Sequence, residues 1–201
     1  MATPSGRISR REAALACLAG AIWGVYNGCF SITFAFAPLL LIGTGLSMGA
    51  AGSLVAVATW LSVASVQAGG LAAQRWGHRT ALLLPGTVVW GVGLVLLPVA
   101  PPVPVLLAIG LMQGLPVGVV MALPAEALRP QSRATGMGLF YTGLYVGHAA
   151  LPPVAGWLLD LSGAPAAPLA FAGVLVLCVP PLFAAFRAVQ RRAPPVGAEP
   201  A

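Results

Sequence analysis

Six near-continuous apolar stretches leave this chain few ways to fold. They run from about Ala13 to Ala35, Ala50 to Ala73, Ala81 to Val99, Val103 to Leu123, Ala134 to Leu159 and Ala166 to Ala188. Each is near the ~20 residues that cross a hydrocarbon core as a helix. Hydrophobic residues make up 59% of the 201 and charged ones only 7%, too little charge to coat a soluble domain of this size. The stretches do not alternate apolar with polar, which favours helices over barrel strands. The expected fold is an all-α integral membrane protein of six transmembrane helices. A polar segment at 1–12 precedes the membrane domain at 13–190, and a Pro/Ala-rich tail at 191–201 is expected to be disordered. The segments Pro38–Ser47 and Pro124–Arg133 read as connecting loops.

The basic residues test that count. All ten are arginines. Arg7, Arg10 and Arg11 precede the first span; Arg75 and Arg79 follow the second; Arg129 and Arg133 follow the fourth; Arg187, Arg191 and Arg192 close the sixth. Six spans put every one on a single face and leave the three opposite loops with none. The positive-inside rule then makes that face, and both termini, cytoplasmic. This placement explains the net charge of +6 without a nucleic-acid partner. The all-arginine basic set and the high Ala and Gly content suggest a GC-rich bacterium, hence a bacterial cytoplasmic (inner) membrane.

Several chemistries lack their residues. Cys17, Cys29 and Cys178 lie within apolar stretches with no CxxC pair and read as small packing residues. No metal ligand set or cofactor is expected. Four acids and two histidines supply no cluster for a membrane enzyme, and no G-x-x-x-x-G-K-[ST] loop marks a nucleotide-driven pump.

Glycine spacing suggests an internal repeat. Gly20, Gly24 and Gly28 form a four-residue stripe in the first span, and Gly110, Gly114 and Gly118 form another ninety residues on, in the fourth. Such stripes let a second helix approach closely. The ends of the second and fifth spans match likewise: Gly70-Leu-Ala-Ala-Gln74-Arg-Trp-Gly77 parallels Gly156-Trp-Leu-Leu-Asp160-Leu-Ser-Gly163. One copy faces the arginine side and the other the opposite side. Two three-helix units of opposite orientation, over about 13–99 and 103–190, are the pattern of inverted-repeat transporters.

At these residues the chain resembles the major facilitator superfamily. Gly70, Arg75, Gly77 and Arg79 match that family's G-x-x-x-D-R-x-G-R-R loop; Gln74 stands where an acid is usual and His78 where an arginine is. The run Leu123–Gly136 is similar to the turn before the family's eleventh helix. The continuation through Tyr141, Pro152, Gly156, Asp160 and Gly163 resembles the cyanate-permease-like branch. The resemblance implies helices seven to twelve of a twelve-helix transporter. It also implies a second six-helix half, which another chain or a second copy would supply unless this is a truncated product. By the same resemblance the loop Gly70–Arg79 supports an ionic latch. Glu126 would be its carboxylate, contested by Arg75, Arg79 and Arg133, with Gln74 weakening it. The alternative is that the arginines only fix orientation.

Two further groups of side chains are candidates for a solute or proton path. Tyr141, Tyr145 and His148 share one face of the fifth span, opposite Gly136, Gly143 and Gly147, whose side is free to pack. His148 lies near mid-span and either titrates or makes a neutral hydrogen bond to a neighbouring helix. Trp23, Tyr26 and Asn27 of the first span and Gln113 of the fourth form the other group. Trp23 and Gln113 each stand three residues after the first glycine of their stripe, and Pro116 interrupts the helix beside Gln113. Packing is the competing account for Trp23 and Tyr26, and Asp160 is expected to cap the far-side turn. The leading expectation is a secondary transporter, or half of one, moving a small-molecule substrate across the lipid bilayer by alternating access. A non-transporting membrane scaffold or assembly protein is the alternative.

Overall fold

The computed structural model describes residues 8–77 and 79–191, so His78 and most of the expected tail lie outside the described residues, as do Arg7 and Arg192. Among the described residues there are eight helices and no strand: α1 (Arg10–Gly43), α2 (Met48–Trp76), α3 (Arg79–Leu96), α4 (Pro102–Gln113), α5 (Val117–Ala127), α6 (Arg133–Ser162), α7 (Ala166–Leu177) and α8 (Val179–Arg191). Four stretches are long and apolar enough to cross a membrane: Arg10–Gly43, Met48–Trp76, Pro102–Ala127 and Ala166–Arg191. Thr80–Leu96 is apolar but shorter. α6 has 30 residues and falls outside that set; Tyr141, Thr142, Tyr145 and His148 dilute its apolar character.

Three boundaries differ from the sequence reading. α1 runs through Pro38 to Gly43 where a loop was expected. Proline removes one helical N–H, but Ala37, Leu40 and Leu41 are buried in the core, and that packing holds the helix. α5 likewise runs through Pro124 to Ala127, which shortens the expected polar segment. The sixth stretch breaks at Cys178 between α7 and α8, just before Pro180 and Pro181, which cannot donate to the preceding turn.

The helices pair in an order that chain sequence does not give. The most extensive packing joins α1 to α6, followed by α2 with α4 and α3 with α7. One core cluster gathers Tyr26, Trp90, Leu94, Ile109 and Val176. The other gathers Leu15, Leu83, Val120, Leu123, Phe140, Phe183 and Phe186. α2 and α6 end alike: Gly77 (φ 66°) and Gly163 (φ 64°) are both left-handed C-caps, their N–H groups bonding back to the carbonyls of Ala73 and Leu159. Glycine takes that conformation without the Cβ clash other residues meet.

Candidate functional site

The glycine stripes are where two of these pairs touch. A Cβ on Gly20 would lie 2.9 Å from the Phe140 carbonyl oxygen, and one on Gly28 would lie 2.6 Å from Leu151 Cδ1. Between them, a Cβ on Gly24 would collide with the Gly143 carbonyl oxygen. From the other side, Gly143 and Gly147 meet the backbones of Gly20 and Gly24. The second stripe seats α4 against α2 in the same manner. A Cβ on Gly110 would lie 2.5 Å from the Ala58 carbonyl oxygen, one on Gly114 would collide with Ser62 and Ser65, and Gly118 lies over Gly70. Gly70 itself has open space where a Cβ would point; the close approach in α2 falls one residue earlier, at Gly69 against Leu115. Gly136 packs against Leu128.

Between these two interfaces lies a small cavity of about 110 Å³, lined by Trp23, Tyr26, Asn27, Phe30, Ser62, Val66, Gln113, Gly114 and Val117. All four candidates from the first and fourth stretches therefore meet in one place. They meet at mid-depth: Tyr26 and Asn27 stand at the middle of α1, Ser62 at the middle of α2, and Gln113 at the break between α4 and α5. That break comprises Gly114, Leu115 and Pro116, where the missing proline N–H interrupts the helical ladder.

Packing fixes the walls. Trp23 stacks on Tyr26 (centroids 5.6 Å apart), and Tyr26 meets Trp90 edge-on at 4.9 Å. The Trp90 indole N–H donates to Thr33 Oγ1 at 3.4 Å, and Asn27 Nδ2 donates to the Trp23 carbonyl at 2.9 Å. Tyr26 is 2% exposed and Gln113 1%. Among the described residues, neither the Tyr26 hydroxyl nor either end of the Gln113 amide has a hydrogen-bond partner. Leaving such a group unpaired in an apolar interior costs roughly 1–3 kcal/mol, so two of them beside one cavity mark a place that gains by taking up a polar partner, water or solute.

Tyr141, Tyr145 and His148 do not line that cavity. They lie exposed on α6, with His148 Nδ1 3.4 Å from Ser31 Oγ of α1. On the other face of α6, which carries Gly143 and Gly147, the seam of α1 and α6 forms a shallow groove of about 410 Å³ from Cys17 to Leu151. Asp160 is exposed near the end of α6.

The arginine-bearing ends are joined by charge. Glu126 Oε2 takes Arg187 Nη1 at 2.5 Å, and Arg187 also donates to Gln190 Oε1 at 2.7 Å. Arg187 lies over the rings of Phe183 and Phe186. Arg187 was not among the partners the sequence offered for Glu126. Trp76, Gly77 and Thr80 line a cleft of about 730 Å³ together with Glu126, Arg187 and Gln190, which brings the later part of the loop motif beside the carboxylate. Gln74 borders a separate hollow with Gly70, Ala73, Gly118 and Ala122. Arg75 lies exposed in the last turn of α2, and Arg133 lies exposed at the start of α6.

A second ionic cluster went unseen in the sequence. Glu12 is 5% exposed. It accepts from Arg129 Nε (3.1 Å), Nη2 (2.9 Å) and backbone N–H (3.1 Å), from Ser132 Oγ (2.6 Å) and from Ser9 N–H (3.0 Å). Donating to the Glu12 carboxylate raises the pKa of the Arg129 guanidinium. Arg11 adds a bond from Nη2 to the Gln190 carbonyl at 2.6 Å. The signal for Glu12 was the Ser9-x-x-Glu12 capping box. The start of α1 is thus bound to the α5–α6 turn and to α8.

Residues 13–201 match the family described as the Major Facilitator Superfamily. The match is to the superfamily as a whole. No curated protein matches the sequence. The match spans nearly the entire chain and agrees with its all-helical, apolar structure: the chain belongs to the Major Facilitator Superfamily, whose members are membrane transporters rather than enzymes.

Proposed function

We propose that this superfamily member is a secondary transporter unit of six membrane-crossing rods. α4 with α5 forms the fourth rod and α7 with α8 the sixth, and the unit moves a small solute by alternating access around the Trp23–Gln113 cavity. The observation that carries this reading is the cavity itself: mid-depth, at a broken helix, and lined by buried polar groups without partners. Transporter sites of this kind sit at the interface of repeats, beside discontinuous helices.

The packing supports two inverted three-rod repeats. Exchanging rods one, two and three with four, five and six turns the first–fifth pair into the fourth–second pair and returns the third–sixth pair to itself. The two glycine stripes mediate the two exchanged pairs, and the glycine C-caps of α2 and α6 end the exchanged rods. The same interleaving argues against one repeat rocking on the other within the unit, since each glycine contact ties rods of different repeats. The unit then moves as one body against a second six-helix half, from another chain or a second copy. The exposed tyrosines and His148 of α6 would lie on the side that half covers.

In this reading the arginine-bearing ends face the cytoplasm of a bacterial cell, both termini included, and the Glu126–Arg187 pair beside Trp76 and Gly77 belongs to the cytoplasmic gate. The experiment places one cysteine at Asn27, with Cys17, Cys29 and Cys178 replaced by serine. Alternating access expects a membrane-impermeant maleimide to reach it from either face of oriented vesicles, one face at a time. Reaction from neither face, or from one face under all conditions, rejects the mechanism and favours a non-transporting scaffold.

A further inference from the structure

Charge, hydrogen-bonding capacity and volume together restrict what the cavity will hold, and here the inference rests on the transport reading above. Among the described residues, none of those that line it is charged. An ion entering would lose its hydration without gaining a counter-charge, a penalty of several kcal/mol even after relaxation. The helix break adds no net charge. α4 ends at Gln113 and α5 begins at Val117, so a negative helix end and a positive one border the same space and largely offset each other.

What the residues around the cavity carry is neutral hydrogen-bonding capacity in both directions. The Gln113 amide has an N–H donor pair and a carbonyl acceptor, and the Tyr26 hydroxyl serves as either; none of these atoms has a partner among the described residues. Apolar ligands would leave them unpaired. An acceptor-only anion would satisfy the Gln113 N–H and strand its carbonyl, and a cation would do the reverse. A single solute carrying a donor and an acceptor side by side satisfies both ends of the amide at once, which neither an ion nor an apolar ligand does. The rings of Trp23 and Phe30 supply apolar wall along α1. The cavity volume of about 110 Å³ is well below the roughly 300–1,000 Å³ of pockets for drug-sized ligands, which favours a small solute.

We propose that this site selects a small uncharged solute bearing a carboxamide-like donor–acceptor pair, held reciprocally by Gln113 with Tyr26 as the second anchor. Acetamide, acetate and methylammonium are probes of similar size that differ in charge. The full chain in lipid nanodiscs is titrated with each, and binding is read by saturation-transfer NMR on the probe. Acetamide is expected to bind at least tenfold more tightly than either ion. Gln113→Leu is expected to weaken it at least tenfold, and Tyr26→Phe to weaken it less. Acetate or methylammonium binding as well as acetamide would overturn the proposal, as would no detectable acetamide binding or acetamide binding unchanged in Gln113→Leu. Labelled acetamide flux in proteoliposomes separates the two claims. Acetamide bound at Gln113 but not moved removes the transport reading and leaves the site. Movement of an ion that is indifferent to Gln113→Leu removes the site and leaves transport.

Discussion

The α1–α6 interface makes a quantitative demand on one residue. In Gly24→Ala the new methyl would fall on the Gly143 carbonyl oxygen, 3.1 Å from Gly143 C and 3.3 Å from Gly147 Cα. Ordinary carbon contacts lie at about 3.5–4.0 Å. The obstacle is backbone on a packed helix, so no side chain can swing aside; the helices must part by roughly an ångström, and a gap of that size forfeits up to half of each dispersion contact along the seam. Overpacking of this kind costs about 1–3 kcal/mol, with this site at the upper end, and the better helix propensity of alanine returns about 1 kcal/mol. The net loss is about 2 kcal/mol, which at about 2–4 °C per kcal/mol lowers the melting midpoint by roughly 4–8 °C. Gly52→Ala is the control, since nothing lies within 4 Å of its would-be Cβ; propensity alone should raise the midpoint slightly. The assay is the loss of the monodisperse peak on size exclusion after heating in detergent. Gly114→Ala, which meets Ser62 and Ser65 across the α2–α4 interface, should fall as far as Gly24→Ala. Equal midpoints for Gly24→Ala and Gly52→Ala would refute the close packing, and a fall in Gly24→Ala alone would refute the equivalence of the two stripes.

Gln113→Leu should raise the same midpoint, because it removes two unpaired buried polar atoms worth roughly 1–3 kcal/mol each; a lower midpoint would show that the amide has a partner in the free protein. Glu12→Gln and Arg129→Gln should each lower it, and the double variant should be no worse than the worse single, since both remove one shared cluster; additive losses would refute the coupling. Arg187→Glu would set a second acid against half-buried Glu126, so monodisperse yield should fall, and Glu126→Arg with Arg187→Glu should recover part of it. Yield unchanged by Arg187→Glu would mean the pair contributes nothing to the folded unit.

How far the fold was legible depends on the range of the forces involved. Apolar run length is local, and it located α2, α3 and the start of α1 within a few residues, while Pro116 marked the interruption of the fourth stretch. Pro38 and Pro124 were read by their local effect as boundaries, yet both helices run on because Leu40 and Leu41, and Leu123, are buried against other elements. The break at Cys178 had a local signal in Pro180-Pro181 that apolar continuity masked. Glycine spacing marked the two interfaces because four-residue periodicity belongs to one helix. Which partner each stripe meets is tertiary, and so is the choice of Arg187, 61 residues from Glu126, over nearer arginines. Glu12 was assigned to a polar leading segment by position, although the capping box placed it in the first turn of a helix.

The same tertiary pairing bears on motion. Gly20, Gly24 and Gly28 lock α1 to α6, and Gly110 and Gly114 lock α4 to α2, through contacts with backbone or with side chains that have little room to yield. Such interfaces do not slide by small steps, because every glycine sits in register with one opposing atom and intermediate positions collide. Trp23 and Gln113 each stand one residue before the central glycine of their stripe, so the two cavity walls are carried by the two most rigid seams. An opening that parts α1 from α2 would therefore carry α6 with the first and α4 with the second. The elements that could absorb it are the break at Gly114–Pro116 and the break at Cys178. Opening toward the proposed second half would demand less: the exposed face of α6 would move away from that partner while the seams stay shut. Under the transport mechanism proposed above, the cavity would keep its shape through the cycle, and Gln113 and Tyr26 would hold the same relative position in both end states. A pair of spin labels at Ser31 and Ala150, one on each helix of the first seam, should then show an unchanged distance under conditions that reverse the accessibility of Asn27→Cys. A change of several ångströms would mean that the seam itself is the moving part.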